Sequence, residues 1–132
     1  MGILTRCAVI CALLTSGLVW AGNTTPEAQL QKWNGEAGRI GQADKGQTFF
    51  TQNHGHEWTC ASCHGDQPTE QGRHASTGKT LKPLAPAVNP VSLTDQAKID
   101  KWFRRNCKEV LSRECTPMEK ADVLAWLIQL KR

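Results

Sequence analysis

The sequence predicts an all-α domain, and three observations carry that prediction. Four segments place apolar residues at the three- and four-residue spacing of a helix. Two of those segments are preceded by a threonine and open with a proline, a pattern typical of helix starts. No run alternates apolar and polar residues as a half-buried strand does, and the chain has no internal repeat. We therefore expect helices joined by irregular segments.

Two helices are predicted in the first half of the chain. Pro26 fits the first turn of a helix that is capped by Thr24 or Thr25 and continues until Gly35 and Gly38 weaken it. A second helix is predicted from Gln42 to Gln52. The segment that follows, from Gly65 to Leu93, holds four of the six prolines and three glycines. Such a segment is irregular and suits wrapping around a flat apolar ligand.

A third helix is predicted to start at a cap provided by Thr94. Ile99, Trp102, Phe103 and Asn106 then fall on one face, while charged residues occupy the other. An amide on an apolar face costs about 1 to 3 kcal/mol when it lacks a partner. A metal ion is one partner that the side-chain oxygen of Asn106 could bind. An asparagine near a helix end also satisfies local backbone groups.

The last helix has the clearest start in the sequence. Thr116 and Glu119 have the spacing of a capping box, with Pro117 at the first helical position. Its apolar positions are Val123, Leu124, Trp126, Leu127 and Leu130.

The first 22 residues have the pattern of a secretory signal: Arg6, then a 14-residue apolar stretch from Cys7 to Trp20, then Ala21 and Gly22. That stretch is short for a membrane-spanning helix. We expect residues 1–22 to be removed on export to the periplasm and residues 23–132 to form one domain that does not span the membrane. The net charge of +4 does not indicate nucleic-acid binding.

The motif Cys60-Ala61-Ser62-Cys63-His64 predicts covalent attachment of one haem c. The two thiols can form thioethers with the haem vinyl groups, and the adjacent imidazole can ligate the iron. Zinc binding would need a second ligand cluster. A redox CxxC would need a thioredoxin-like βαβ setting, which the pattern lacks. We expect Trp58, Trp102 and Phe103 to pack against the haem.

The chain resembles class I cytochromes c beyond this motif. A helix containing Gly46 and Phe49 or Phe50 precedes the attachment site, and the final helix contains Trp126. The resemblance implies a small fold in which those two helices cross and all helices pack around one covalently bound haem. It also implies that a backbone carbonyl near Pro83 accepts the second ring proton of His64.

The residues alone leave the second axial ligand of the iron open. Methionine is the usual ligand in an electron shuttle, and the only one after residue 22 is Met118. The histidines at positions 54, 56 and 74 are further candidates. With Met118 or a histidine as ligand, the protein would be an ordinary six-coordinate electron shuttle.

A closer resemblance, to the SHP family of monohaem cytochromes c, favours Asn106. It is carried by residues 82–90 (KPLAPAVNP), 94–95 (TD), 101–107 (KWFRRNC) and 119–122 (EKAD), together with Cys115. The resemblance implies ligation by His64 and Asn106 in the ferric state, with Asn106 released on reduction. The related cytochrome c″ has histidine at the position that matches Asn106.

The same resemblance implies a disulfide between Cys107 and Cys115. On one continuous helix these residues would lie about 12 Å apart, too far for a bridge, so we expect residues 108–114 to form a turn. The resemblance further implies binding of O2, NO or CO and electron donation by a dihaem cytochrome c. It favours an electron-transfer or gas-binding protein over an enzyme.

Overall fold

The computed structural model describes residues 23–131, and the predicted signal peptide lies outside them. The helices are α1 (Pro26–Ala37), α2 (Ala43–Thr51), α3 (Cys60–His64), α4 (Gln96–Leu111) and α5 (Pro117–Gln129), and the strands are β1 (Gly72–Arg73) and β2 (Thr80–Leu81). The all-α prediction is confirmed. None of the helices in this part of the chain is long and apolar enough to cross a membrane.

Two helix starts follow directly from capping chemistry. The Thr25 side chain accepts a hydrogen bond of 3.1 Å from the backbone N–H of Ala28, and Pro26 is the first residue of α1. Thr116 and Glu119 exchange the two bonds of a capping box at the start of α5. Both caps satisfy backbone donors that the first turn of a helix leaves free.

The predicted cap of α4 is wrong by one residue. Asp95 is the cap, and its carboxylate accepts from the backbone N–H of Lys98 at 3.0 Å. The Thr94 hydroxyl instead donates to the carbonyl of Val91 at 2.8 Å. Both residue types cap helices well, and the turn before α4 decides between them.

The absence of strands was also predicted wrongly, because β1 and β2 form a short antiparallel pair. Gly72 pairs with Leu81 and Arg73 with Thr80. Two residues are too few to show an alternating pattern. A Cβ at Gly72 would overlap the carbonyl of Cys63, so glycine lets β1 lie directly against α3.

The core forms where α5 crosses α1 and α2. A Cβ at Gly46 of α2 would overlap the carbonyl of Asp122 in α5, so the two backbones are in direct contact. The rings of Phe50 and Trp126 lie 5.0 Å apart at this crossing. Val123 and Leu127 complete the buried cluster. This arrangement confirms the crossing of the second and last helices that the cytochrome resemblance implied.

The N-terminal end of α4 is fastened to α1 by a chain of amide hydrogen bonds. Gln29 is 1% exposed, and its Nε2 donates to the Thr24 hydroxyl at 2.9 Å and to Gln96 Oε1 at 2.6 Å. Gln96 Nε2 in turn donates to Asp100 Oδ1 at 2.9 Å. Lys32 of α1 lies 3.4 Å from the same carboxylate oxygen. These contacts fix where α4 begins relative to α1.

Candidate functional site

The attachment motif occupies α3, a single turn of helix held by its own cap. Thr59 Oγ1 accepts from the backbone N–H of Ser62 at 3.0 Å, and Ser62 Oγ accepts from the backbone N–H of Thr59 at 2.9 Å. This capping box explains why so short a segment is helical. Cys60, Cys63 and His64 are thereby placed along one turn, and neither cysteine is in a disulfide.

The environment of α3 is apolar. Burial raises the pKa of the Cys60 thiol to about 11. Burial also lowers the pKa of His64, and the charge of His74 lowers it further. His64 therefore carries a neutral imidazole at pH 7, the form that ligates metals. The ring of Phe50 lies 6.1 Å from that of His64.

These residues fit a c-type haem. The group needs two thiols for thioethers, a neutral imidazole for the iron and apolar side chains around a flat ring. Cys60 and Cys63 supply the thiols, His64 supplies the imidazole, and Phe50 and Leu84 line the neighbouring core. The residues do not fit a zinc site. Between residues 23 and 131, no group of three or more His, Cys, Asp or Glu side chains is placed to hold a metal ion.

A disulfide joins Cys107, near the end of α4, to Cys115, with their Cα atoms 5.5 Å apart. The predicted turn over residues 108–114 is wrong in extent, since α4 continues through Leu111. Ser112 then adopts a left-handed conformation with φ of 57° and ends the helix. Residues 112–115 alone bring the chain back, which is enough because Cys107 lies one turn before the helix end.

The disulfide is packed beside the attachment motif. Cys107, Cys115, Val110 and Leu111 form a buried cluster, and the partly buried residues against it are Phe49, Trp58, Cys60 and Phe103. The cysteine that begins the attachment motif and the cysteine next to Asn106 therefore share one packed region. This brings the C-terminal half of α4 to α3.

The apolar face of α4 is turned slightly from the predicted one. Ile99, Cys107 and Val110 are buried, and Phe103 is partly buried between them. Asn106 lies at the edge of this face and is half-buried, whereas Trp102 is 48% exposed. The prediction that Asn106 completes the apolar face is therefore corrected to a position at its border. At 100° per residue, Cys107 and Val110 shift the centre of the face away from Asn106 and Trp102.

The loop closed by the disulfide is braced against α5. Arg113 donates to both carboxylate oxygens of Glu119, at 2.8 and 2.7 Å, and to the carbonyl of Glu114 at 2.8 Å. The backbone N–H of Thr116 donates to the same carboxylate at 2.8 Å. Burial by itself raises the pKa of Glu119, but these hydrogen bonds lower it by more, and the net pKa lies below its ordinary value.

The other candidate axial ligands, three histidines and one methionine, are hydrogen-bonded near their own position in the chain or exposed. His54 Nε2 donates to the carbonyl of Phe49 at 2.8 Å, and its ring lies 4.6 Å from the Phe49 ring. His74 Nδ1 lies 3.2 Å from the Ser76 hydroxyl. His56 is exposed, and Met118 is 41% exposed in the first turn of α5.

Sequence reasoning gave no structural role to Asn89, which lies in the irregular segment. Asn89 Nδ2 donates to the carbonyl of Pro83 at 2.7 Å and so fixes a backbone oxygen in the irregular segment. A carbonyl oxygen can accept a second bond, so the predicted contact of this region with His64 stays a prediction. In the sequence, Asn89 is marked only by its place before Pro90. An asparagine before a proline is equally typical of a local turn and of a hydrogen bond across a loop.

The chain is similar to known proteins over most of its length. A protein-family model described as a domain of unknown function (DUF1924) matches residues 36–127. The chain is 41% identical over 128 residues to the cytochrome c-type protein SHP of Cereibacter sphaeroides, covering 94% of this chain and 98% of the relative. It is 39% identical over 87 residues to cytochrome c″ of Methylophilus methylotrophus, covering 63% of this chain and 60% of the relative.

Solved structures agree with the sequence relatives. Oxidized SHP, described as an oxygen-binding cytochrome c, matches with a TM-score of 0.76 at 40% identity, over 80% of this chain and 97% of the other. Oxidized cytochrome c″ from Methylophilus methylotrophus matches with a TM-score of 0.72 at 32% identity, over 81% of this chain and 95% of the other.

The fold, the donor set of α3 and these relatives together define a c-type cytochrome with one covalently bound haem and an electron-transfer role. The helices pack as in the class I cytochromes c. Within that class, the chain belongs to the SHP family of monohaem cytochromes c.

Proposed function

We propose that this cytochrome binds a small gas at a site that opens on reduction. In this proposal Cys60 and Cys63 hold the haem, His64 is the permanent axial ligand, and Asn106 is the second ligand in the ferric state. Asn106 leaves on reduction and frees a position for O2, NO or CO. The proposal is supported by the similarity to SHP, which is described as oxygen-binding.

The shared cluster of Cys60 and the Cys107–Cys115 disulfide is the observation that carries this proposal. It brings α4 to the attachment helix at the level of Cys107, the residue next to Asn106. Asn106 borders the buried face there and is half-buried. Met118 is 41% exposed, which favours Asn106 over the ordinary methionine ligand.

The ligand types explain why reduction would release Asn106. When bound, the haem supplies a one-electron couple and one exchangeable coordination position. The amide oxygen of Asn106 is a hard, neutral donor that suits Fe(III), while Fe(II) favours softer ligands such as CO and NO. The side chain of Asn106 can then be exchanged for a gas without a proton transfer.

The setting of this function is part of the proposal. We propose that residues 1–22 are a signal peptide and that residues 23–132 are the mature cytochrome domain, located in the periplasm. The disulfide in the structure supports this location, because disulfides persist in oxidising compartments. We propose a dihaem cytochrome c as the electron donor.

Absorption spectra of the purified holoprotein test the gated site. We expect the ferrous wild type to bind CO, and we expect Asn106→Ala to open the ferric site to added cyanide. If Asn106 holds the ferric site closed in about 90% of molecules or more, the variant gains roughly tenfold or more in the rate of cyanide binding. Asn106→His should keep the ferric iron six-coordinate.

Met118→Leu is the matched control, because it removes a thioether and leaves α4 unchanged. We expect its ferric and ferrous spectra to match those of the wild type. A wild-type ferrous protein that stays six-coordinate and ignores CO would exclude the gated site. Loss of the six-coordinate spectrum in Met118→Leu would show instead that the protein is an ordinary electron shuttle.

A further inference from the structure

The net positive charge of the described residues lies on one helix. Between residues 23 and 131, α4 contributes five Lys and Arg residues and two acidic residues. The remaining described residues contribute nine basic and ten acidic side chains. The small positive net charge therefore resides on α4, and the rest of the described chain is close to neutral.

The basic residues of α4 lie on one side of the helix. At 100° per residue they fall within a sector of about 120°, away from the buried face. All of them are exposed, and together they form what we term the basic face of α4: Lys98, Lys101, Arg104, Arg105 and Lys108. A 16-residue helix is about 24 Å long, so this face forms a compact elongated patch.

Little of this charge is neutralised within the protein. Lys98 lies 3.3 Å from Asp95, and the other four basic residues have no ion pair among the described residues. Lys101 and Arg105 instead lie 5.4 and 5.2 Å from the ring of Trp102. Of the two acids on α4, Asp100 pairs with Lys32 of α1. The basic face therefore presents an open positive field to solvent.

We infer that the basic face of α4 is the docking surface for the acidic surface of an electron-donor protein. The inference rests on the proposed function and names the kind of partner that serves it. Charge complementarity steers such partners and sets their association rate. A long polyanion would extend beyond α4 onto surface with a slight excess of acidic residues, whereas an acidic patch on a folded protein matches the length of one helix.

Trp102 lies between this surface and the proposed gate, and at 100° per residue Asn106 falls about 80° beyond the edge of the basic face. Asn106 directly follows Arg105 in the sequence and lies one turn after Trp102 on the same side of α4. Lys101 and Arg105 contact the Trp102 ring, so a donor on the basic face reaches the side of α4 that Trp102 shares with Asn106. The donor loses one electron, the iron passes from Fe(III) to Fe(II), and the reaction consumes no proton.

Charge reversal on the basic face tests the inference in the holoprotein. We use reduced plant-type ferredoxin as the probe, because it is a small acidic one-electron donor of low potential. At low ionic strength we expect Lys101→Glu/Arg105→Glu to slow reduction by ferredoxin about tenfold, because each reversal removes an attraction and adds a repulsion. Lys101→Gln/Arg105→Gln should slow reduction by ferredoxin about threefold. Salt at about 0.5 M should abolish both effects.

Two controls isolate the location of docking. Lys45→Glu/Lys131→Glu makes the same change in net charge outside α4. We expect it to slow reduction by ferredoxin by less than twofold. Reduction by lumiflavin semiquinone, an uncharged reductant, and CO binding by the ferrous protein should be the same in all variants. CO binding reports the proposed gate, so a failed gate abolishes it in the wild type and in every variant, while a failed docking surface leaves it intact.

Equal slowing by the α4 variant and the matched control would overturn the inference, because net charge alone would then explain the rates. An unchanged ferredoxin rate in the α4 variant would overturn it as well. Phosphatidylglycerol vesicles and duplex DNA are tested in parallel. Binding to either that is lost in the α4 variant, with no change for ferredoxin, would assign the face to a lipid or nucleic-acid partner.

Discussion

Removal of the Cys107–Cys115 disulfide should destabilise the protein and loosen the ferric site together. The bridge spans a sequence separation of 8, and the chain-entropy estimate for so short a loop is about 2.5 kcal/mol at 25 °C. For a domain of about 110 residues this corresponds to a fall in Tm of about 10 °C. Cys107→Ala/Cys115→Ala should lose slightly more, because both sulfurs are buried.

Guanidinium unfolding of the ferric holoprotein, followed by circular dichroism, measures this change. Wild type reduced at the disulfide retains both sulfurs and separates the loss of the cross-link from the cavity left by alanine. Val110→Ala is a second control, since it creates a cavity in the same cluster and leaves the bridge intact. A loss below about 1 kcal/mol on reduction would refute the loop-closure reasoning. We also expect reduction of the bridge to speed cyanide binding to the ferric iron.

Two further perturbations test the framework of the site. Gly46→Ala should cost about 3 kcal/mol or more, because the new Cβ overlaps the carbonyl of Asp122 where α2 crosses α5; a Tm within 2 °C of wild type would contradict this close contact. The pKa of Glu119 is below its ordinary value of about 4.5 in the folded protein, so its contribution to stability is present above that pH and is lost as the pH falls through the lower folded value. Glu119→Gln should therefore give a flatter decline in stability below about pH 5, measured by urea unfolding, and an unchanged slope would show that the Arg113 pair does not act this way.

Local chemistry made much of the fold predictable. Pro26 after a threonine and the box formed by Thr116 and Glu119 are complete within four residues, so their helices begin where the sequence predicts. The α2 prediction differs from the structure only by the capping residues at its ends. The attachment motif was equally local, since Cys60, Cys63 and His64 lie within five residues.

The remaining features depend on contacts between distant segments or on unmarked backbone conformations. Ser112 takes a left-handed conformation that usually calls for glycine or asparagine, so nothing in the sequence marked the end of α4 at Leu111. The orientation of α4 depends on Gln29, which is 67 residues from its partner Gln96. Periodicity placed Asn106 on the apolar face, but packing at Cys107 and Val110 moved it to the border.

The two attachments of α4 bear on how the proposed gate responds. Gln96 binds the start of the helix to Gln29, and Cys107 binds the last turn but one to Cys115. The helix is therefore held near both of its ends. Asn106 lies beside the second attachment and about 15 Å from the first. With Asn106 as the ferric ligand, its departure would need a rotation of its own side chain and no displacement of α4, because both attachments hold the helix. For the proposed gate we therefore expect little reorganisation of α4 to accompany electron transfer.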